Sequence, residues 1–175
     1  MSRMAAQTNL FRVWNSATGR ELPGIQSVQM PDLELGGETI SVAGTMGDVK
    51  VPSLGAITEQ TLSLTFPMDN EALMAIFALG QTVTLDIRAD LSMVDPQTKR
   101  LMPTPNRWAV TGVVYKVDHG KIEQKASADM TVELTVYTMQ RWLNGREVLM
   151  LDVFNTIYRV NGRDVMAAQH RNLGL

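Results

Sequence analysis

Between positions 82 and 91 the chain alternates without a break: Val83, Leu85, Ile87, Ala89 and Leu91 are apolar, and Thr82, Thr84, Asp86, Arg88 and Asp90 are polar. A repeat of two sorts side chains onto the two faces of a strand, and a helix cannot separate them that way. The same alternation sets Thr58, Gln60, Leu62, Leu64 and Phe66 against Glu59, Thr61, Ser63 and Thr65, and Met130, Val132, Leu134 and Val136 against Thr131, Glu133, Thr135 and Tyr137. Positions 108–117 are β-branched and aromatic, with apolar residues on both faces, which predicts a strand covered on both sides. Shorter strands are expected at 10–14, 25–30, 147–151 and 156–160, with turns at Gly19, Asn144-Gly145 and Asn161-Gly162. The fold class is therefore mainly β, an antiparallel sheet or sandwich.

One short helix interrupts this pattern at 71–79, with Asp69 placed to cap it, Gly80 to end it, and Leu73, Ile76, Phe77 and Ala72 on its apolar face. Alone it is too short to be stable, so Phe77 should be core. Positions 33–51 read as a projecting β-hairpin arm, glycine-rich at Gly36, Gly37, Gly44 and Gly47, in which Ile40 and Val42 face Val49 and Val51 and Met46 lies near the tip. So small a ribbon has no core of its own and needs a surface outside itself. Positions 95–106, with Pro96, Pro103 and Pro105, are expected to be a loop between two long strands.

With 175 residues and 19.4 kDa, the chain can bury roughly 70% of its extended surface, so a single domain over 1–175 is expected. The absence of cysteine excludes disulfides and thiolate metal sites and fits a reducing cytoplasm. A net charge of −2 does not favour tight binding of DNA. No apolar run approaches the roughly 20 residues of a spanning helix, and the first 20 positions lack the apolar centre of a signal peptide. No membrane partner and no Sec export are expected.

Two histidines, His119 and His170, stand 51 positions apart without a metal-binding spacing. Asp86, Arg88 and Asp90 share a strand face and could form a hydrolytic pair, but carboxylates beside arginine stay ionised, so a solvated or interfacial charged face is the plainer reading. Phosphate-binding loops, dinucleotide fingerprints and nucleophile elbows are missing. No enzyme activity and no cofactor are therefore expected. Trp14, Trp108 and Trp142 read as core or interface anchors. Long amphipathic strands with few prolines or lysines leave usable edges, which points to sheet continuation into a neighbour and to ring or filament assembly.

The ending Leu151 to Leu175, LDVFNTIYRVNGRDVMAAQHRNLGL, resembles that of the major tail tube proteins of contractile-tailed bacteriophages, a family shared with R-type bacteriocin tubes. Its specific part is Val160, Asn161, Gly162 and Asp164, then Arg171, Asn172, Leu173, Gly174 and Leu175. The similarity extends to Asn9-Leu10-Phe11, the step from Met30 to Leu33, the glycine-rich arm, the strand and helix over 56–80, Val117-Asp118, the segment 143–147 and the segment 152–155. Departures lie in the longer first turn at 15–20 and the glycine-poor loop at 119–126.

The resemblance implies a virion structural subunit, an antiparallel β-sandwich or barrel assembled in the bacterial host cytoplasm, that forms homohexameric rings with a continuous inner β-barrel and stacks them into a tube inside a sheath. Sheath, baseplate and tape-measure proteins are the implied partners, with DNA passing only transiently through the lumen. It also implies that the arm, with Gly36, Gly37, Ile40, Val42, Gly44, Met46, Gly47 and Val49, contacts neighbouring subunits or rings, and that the tail 161–175 joins the assembly surface. Glu59, Asp86, Arg88, Asp90 and Glu133 are the candidates for lining the lumen. At −2 per subunit a hexamer carries about −12, so DNA is expected to slide rather than stick. The alternative is a type VI secretion-like tube carrying effectors in its lumen.

Overall fold

The computed structural model describes residues 4–41, 44, 46–67, 71–95, 97–121 and 129–174. In chain order the elements are β1 (Met4–Asn15), β2 (Arg20–Glu21), β3 (Ser27–Gln29), β4 (Leu35–Ile40), β5 (Val49–Ile57), β6 (Thr61–Phe66), α1 (Glu71–Ile76), β7 (Thr82–Val94), β8 (Leu101–Asp118), β9 (Met130–Leu143), β10 (Arg146–Asp152), β11 (Ile157–Val160), β12 (Arg163–Asp164) and α2 (Ala167–Leu173). The main sheet is antiparallel and runs β12-β11-β10-β9-β8-β7-β1-β2; β6 adds to β9, and β3 to β6. β4 and β5 form a separate two-stranded sheet.

Long strands arise where the alternation is longest. β9 is the hinge of the topology: one edge pairs with β8, while the other is divided between β6, from Met130 to Thr135, and β10, from Thr138 to Leu143. The division falls at Tyr137, which has no partner on β8 and is an extra residue in the ladder. A bulge of this kind reverses the phase of the side chains. Thus Met130, Val132, Leu134 and Val136 are buried before it and Met139 after it, all on the same face.

That inner face, with Leu62, Leu64, Phe66, Leu85, Val110 and Val114, forms the core. Helix α1 closes over it through Leu73, together with Phe77 just past its end, whose ring stands 5.7 Å from Phe66. The helix is shorter than 71–79, Ala72 is exposed, and the proposed cap Asp69 lies outside the described residues. Gly80 takes the expected left-handed conformation at φ 82°. The turns Asn144-Gly145 and Asn161-Gly162 have positive φ at both positions, as two-residue hairpins require.

Four expectations change. The path of the main sheet ends at β2 and β12, which do not pair, so no closed barrel forms among the described residues. Positions 101–106 belong to β8, and the connection to β7 is only a short turn around Asp95 to Arg100. Pro103 and Pro105 are tolerated because β8 has no neighbouring strand on that side there among the described residues. β8 is well covered on one face only, since Tyr115 is exposed on the other. A second helix, α2, stands in the segment read only as a tail, closed by Gly174 in the left-handed conformation.

Candidate assembly surfaces

Residues paired across strands point the same way, so the face opposite the core can be read row by row. Glu21, Trp14, Asp86, Ala109, Gln140 and Met150 stand opposite one another from β2 to β10, and the next row is Arg12, Arg88, Arg107 and Trp142. Asp86 sits at the centre and is largely buried. It accepts hydrogen bonds from Arg88 Nε at 3.0 Å and Nη2 at 2.7 Å, and from Arg107 Nε at 2.8 Å and Nη2 at 3.1 Å. Burial pushes the Asp86 carboxyl up, but the hydrogen bonds and charges of Arg107 and Arg88 outweigh it and hold it below the ordinary carboxylate value. The guanidiniums of Arg88 and Arg107 in turn lie 5.0 Å from the ring centres of Trp14 and Trp142.

Farther along the same face a second irregularity, at Tyr115, lets both Tyr115 Oη and Lys116 Nζ reach the Glu133 carboxylate. The Lys116 and Tyr115 hydrogen bonds hold Glu133 below its usual range, and the same contacts raise Lys116 and Tyr115. Asp90 accepts from Asn9 Nδ2 at 3.0 Å, and Glu59 from the Thr135 hydroxyl at 3.4 Å. Glu59, Asp86, Arg88, Asp90 and Glu133 therefore lie on one polar face. Sequence reasoning missed Arg107 and Lys116, the cations that neutralise Asp86 and Glu133. Arg107 stands between the stretch read as loop, 95–106, and the strand read from 108, and its register against Asp86 is set by the β7–β8 pairing. The face is a mosaic of paired charges and not an acidic surface.

The hairpin pairs Ile40 with Val49 and Glu38 with Val51, and Lys50 Nζ meets Glu34 at 2.8 Å. A Cβ at Gly37 would stand 2.3 Å from the Val51 carbonyl oxygen, so only glycine fits the ladder there. Ile40, Val49 and Val51 are 44–50% exposed, Met46 is fully exposed, and Gly44 is left-handed at φ 97°. Val42 lies outside the described residues, as does Leu175.

In the C-terminal segment Val160 pairs with Arg163 across the Asn161-Gly162 turn, and Asp164 accepts from the Met166 amide. Arg171, Asn172 and Leu173 are exposed on α2. His170 Nε2 lies 3.0 Å from both the hydroxyl and the carbonyl oxygen of Thr156.

The main sheet also has an open edge among the described residues. β7 covers one side of β1 along its length, whereas β2 meets the other side only at Trp14 and Asn15. The Leu22 amide adds one bond, to the Val13 carbonyl oxygen. From Arg12 back to Met4 this side of β1 has no partner strand among the described residues, and Leu10 beside it is 76% exposed.

The family model described as Phage tail tube protein FII matches residues 8–174. No curated protein matches the chain. Among solved structures, a chain of the anti-feeding prophage baseplate, six-fold symmetrised, superposes with a TM-score of 0.53 at 14% identity, covering 81% of this chain and 97% of that one. A chain of the PVC sheath-tube complex in the extended state, from an extracellular contractile injection system, aligns with a TM-score of 0.48 at 14% identity over 75% of this chain and 87% of that one. Since the family match spans nearly the whole length, from the exposed end of β1 to the close of α2, the chain belongs to the phage tail tube protein family.

Proposed function

We propose that this chain, as one tail tube domain over 1–175, is the repeating structural subunit of the inner tube of a contractile phage tail or phage-tail-like particle. Six copies close a ring, rings stack, and the bore conducts DNA inside a sheath. The observation that carries the reading is the unpartnered side of β1. A strand edge this long invites pairing, and a closed ring lets each copy satisfy the next without leaving a free border. The polar face, with Glu59, Asp86, Arg88, Asp90 and Glu133, faces the bore; the arm 33–51 and the tail 161–175 meet neighbouring subunits, rings or the sheath. Baseplate and tape-measure proteins complete the partners. The role is structural, since the charged groups of the polar face satisfy one another and converge on no reactive position. Electron microscopy of the purified chain tests this: six-fold rings or rods are expected, and a monomer persisting at high concentration with no sheath-associated form contradicts it.

One observation favours a second cargo. Arg12, Arg88, Arg107 and Lys116 are interspersed among the carboxylates, so the polar face does not simply repel a polyanion. A tube that carries small effector proteins accommodates such a surface. Co-purification of small proteins with isolated rods supports that reading, and nuclease-sensitive DNA in the bore supports the first.

A further inference from the structure

We infer that Pro103 and Pro105 close the β8 border against a second copy of this chain, leaving β1 as the border along which the sheet is extended. The inference rests on the reading of a tube built through sheet edges. The β7–β8 ladder continues from Asn106, where β9 ends, out to Leu101 paired with Val94. Over that overhang β8 has β7 on one side and no strand on the other among the described residues. The Asn144 amide donates to the Pro105 carbonyl oxygen at 2.9 Å, which fixes the direction: the backbone of Pro105 faces away from β7. By the repeat of two, Pro103 and Leu101 face the same way. A free amide would stand at each of these positions, and at 103 and 105 proline has none. Leu101 keeps its amide, but the border offers the Pro103 carbonyl with no donor at 103 or 105, whereas an added strand needs donors and acceptors in alternation.

The side chains show why such closure matters. Leu101 and Met102 are 67% and 42% exposed, so with ordinary amides this overhang would be a long, apolar, open edge, the kind that aggregates. On the other border of the same three strands the Val13 carbonyl points outward to the Leu22 amide. Phe11, two residues earlier, faces the same side and keeps its amide, and β1 contains no proline. Joints of β8 to β8 or of β8 to β1 are thereby disfavoured, which leaves β1 to meet a different surface of the neighbour.

The test is the variant Pro103→Thr/Pro105→Thr, examined beside wild type by sedimentation velocity and electron microscopy. Both positions are exposed and stand opposite Ser92 and Asp90 in pairs that need no amide, so threonine suits the fold, and circular dichroism is expected to match wild type. Irregular aggregates or off-size oligomers should increase several-fold, and adding Leu101→Lys should reverse the increase by charging the reopened border. The single variant Pro103→Thr, which leaves the Asn144–Pro105 bond intact, should move the same way by less. A size distribution indistinguishable from wild type in both folded variants overturns the inference. If wild type itself never forms rings, the tube reading fails, and new self-association in the variants still decides the role of the prolines.

Discussion

The β6–β9 ladder and the β4–β5 hairpin are both pairs of antiparallel strands that present apolar side chains on one face, sustained in the first and brief in the second at Ile40, Val49 and Val51, and they end in opposite states. Leu62, Leu64 and Phe66 are at most 1% exposed, because α1 and the curved inner face of the sheet lie over them. Ile40, Val49 and Val51, equally apolar, remain about half exposed because no second layer among the described residues covers them. Each buried side chain of β6 contributes about 1.5–3 kcal/mol, and those of the hairpin contribute much less. Alternation makes a strand; a covering layer makes it stable. An isolated two-stranded ribbon is marginal, so the apolar side chains of the hairpin are available to another copy.

That contrast can be broken most severely at Phe66. Phe66→Ala removes a ring packed on Phe77 and should cost about 3–5 kcal/mol in urea unfolding. Glycine substitution sharpens the comparison at paired positions. A Cβ at Gly112 would stand 2.5 Å from the Thr135 carbonyl oxygen inside the main sheet, so Gly112→Ala should cost about 1–3 kcal/mol globally. Gly37→Ala meets the Val51 carbonyl as closely, yet should leave the urea midpoint in place while hydrogen exchange speeds up at Ile40 and Val49, which stand opposite each other.

The polar face comes next. Asp86→Asn deprives two half-exposed guanidiniums of their shared carboxylate and should cost on the order of 1 kcal/mol after allowance for solvent screening. Because the folded Asp86 carboxyl is held below its ordinary value, its contribution is complete above the unfolded value of about 3.9 and fades as pH falls through the lower folded value. The variant should therefore lose less stability than wild type between pH 5 and pH 2, measured by thermal unfolding across pH. The smallest effect on the subunit belongs to the hairpin: Ile40→Asp with Val51→Asp should change unfolding by less than about 0.5 kcal/mol and still prevent rod growth in electron micrographs. Loss of folding would contradict an intermolecular role for these side chains.

How far the sequence could be read follows the same division. β7, β6 and the first half of β9 were legible because their alternation is unbroken, and both Asn-Gly hairpins because their turns need left-handed backbone. The phase reversal at Tyr137 was not legible, since a bulge is fixed by the pairing of β9 with β8 and carries no composition of its own. Pro103 and Pro105 spoke for a loop because proline is excluded from central strands, and only the end of β9 at Leu143 reveals that this stretch is an edge. Helix α2 had a readable sign in Ala167, Ala168 and the closing Gly174, outweighed by its shortness and by a start without a side-chain cap. On the polar face Asp86 and Arg88 were seen as partners from their spacing, whereas Arg107 enters from β8, 21 positions away, and depends on register. The stacking of Arg88 on Trp14 and Arg107 on Trp142 depends on register in the same way.

The central claim is that β1 finds its missing partner in an identical copy. Residue-resolved amide hydrogen exchange, comparing dispersed subunits with assembled rods, tests it most directly at Phe11, whose amide faces the free side of β1. Fast exchange at Phe11 is expected in the subunit and strong protection in the rod, with the amides of β9 protected in both. Equal exchange at Phe11 in the two states would contradict it.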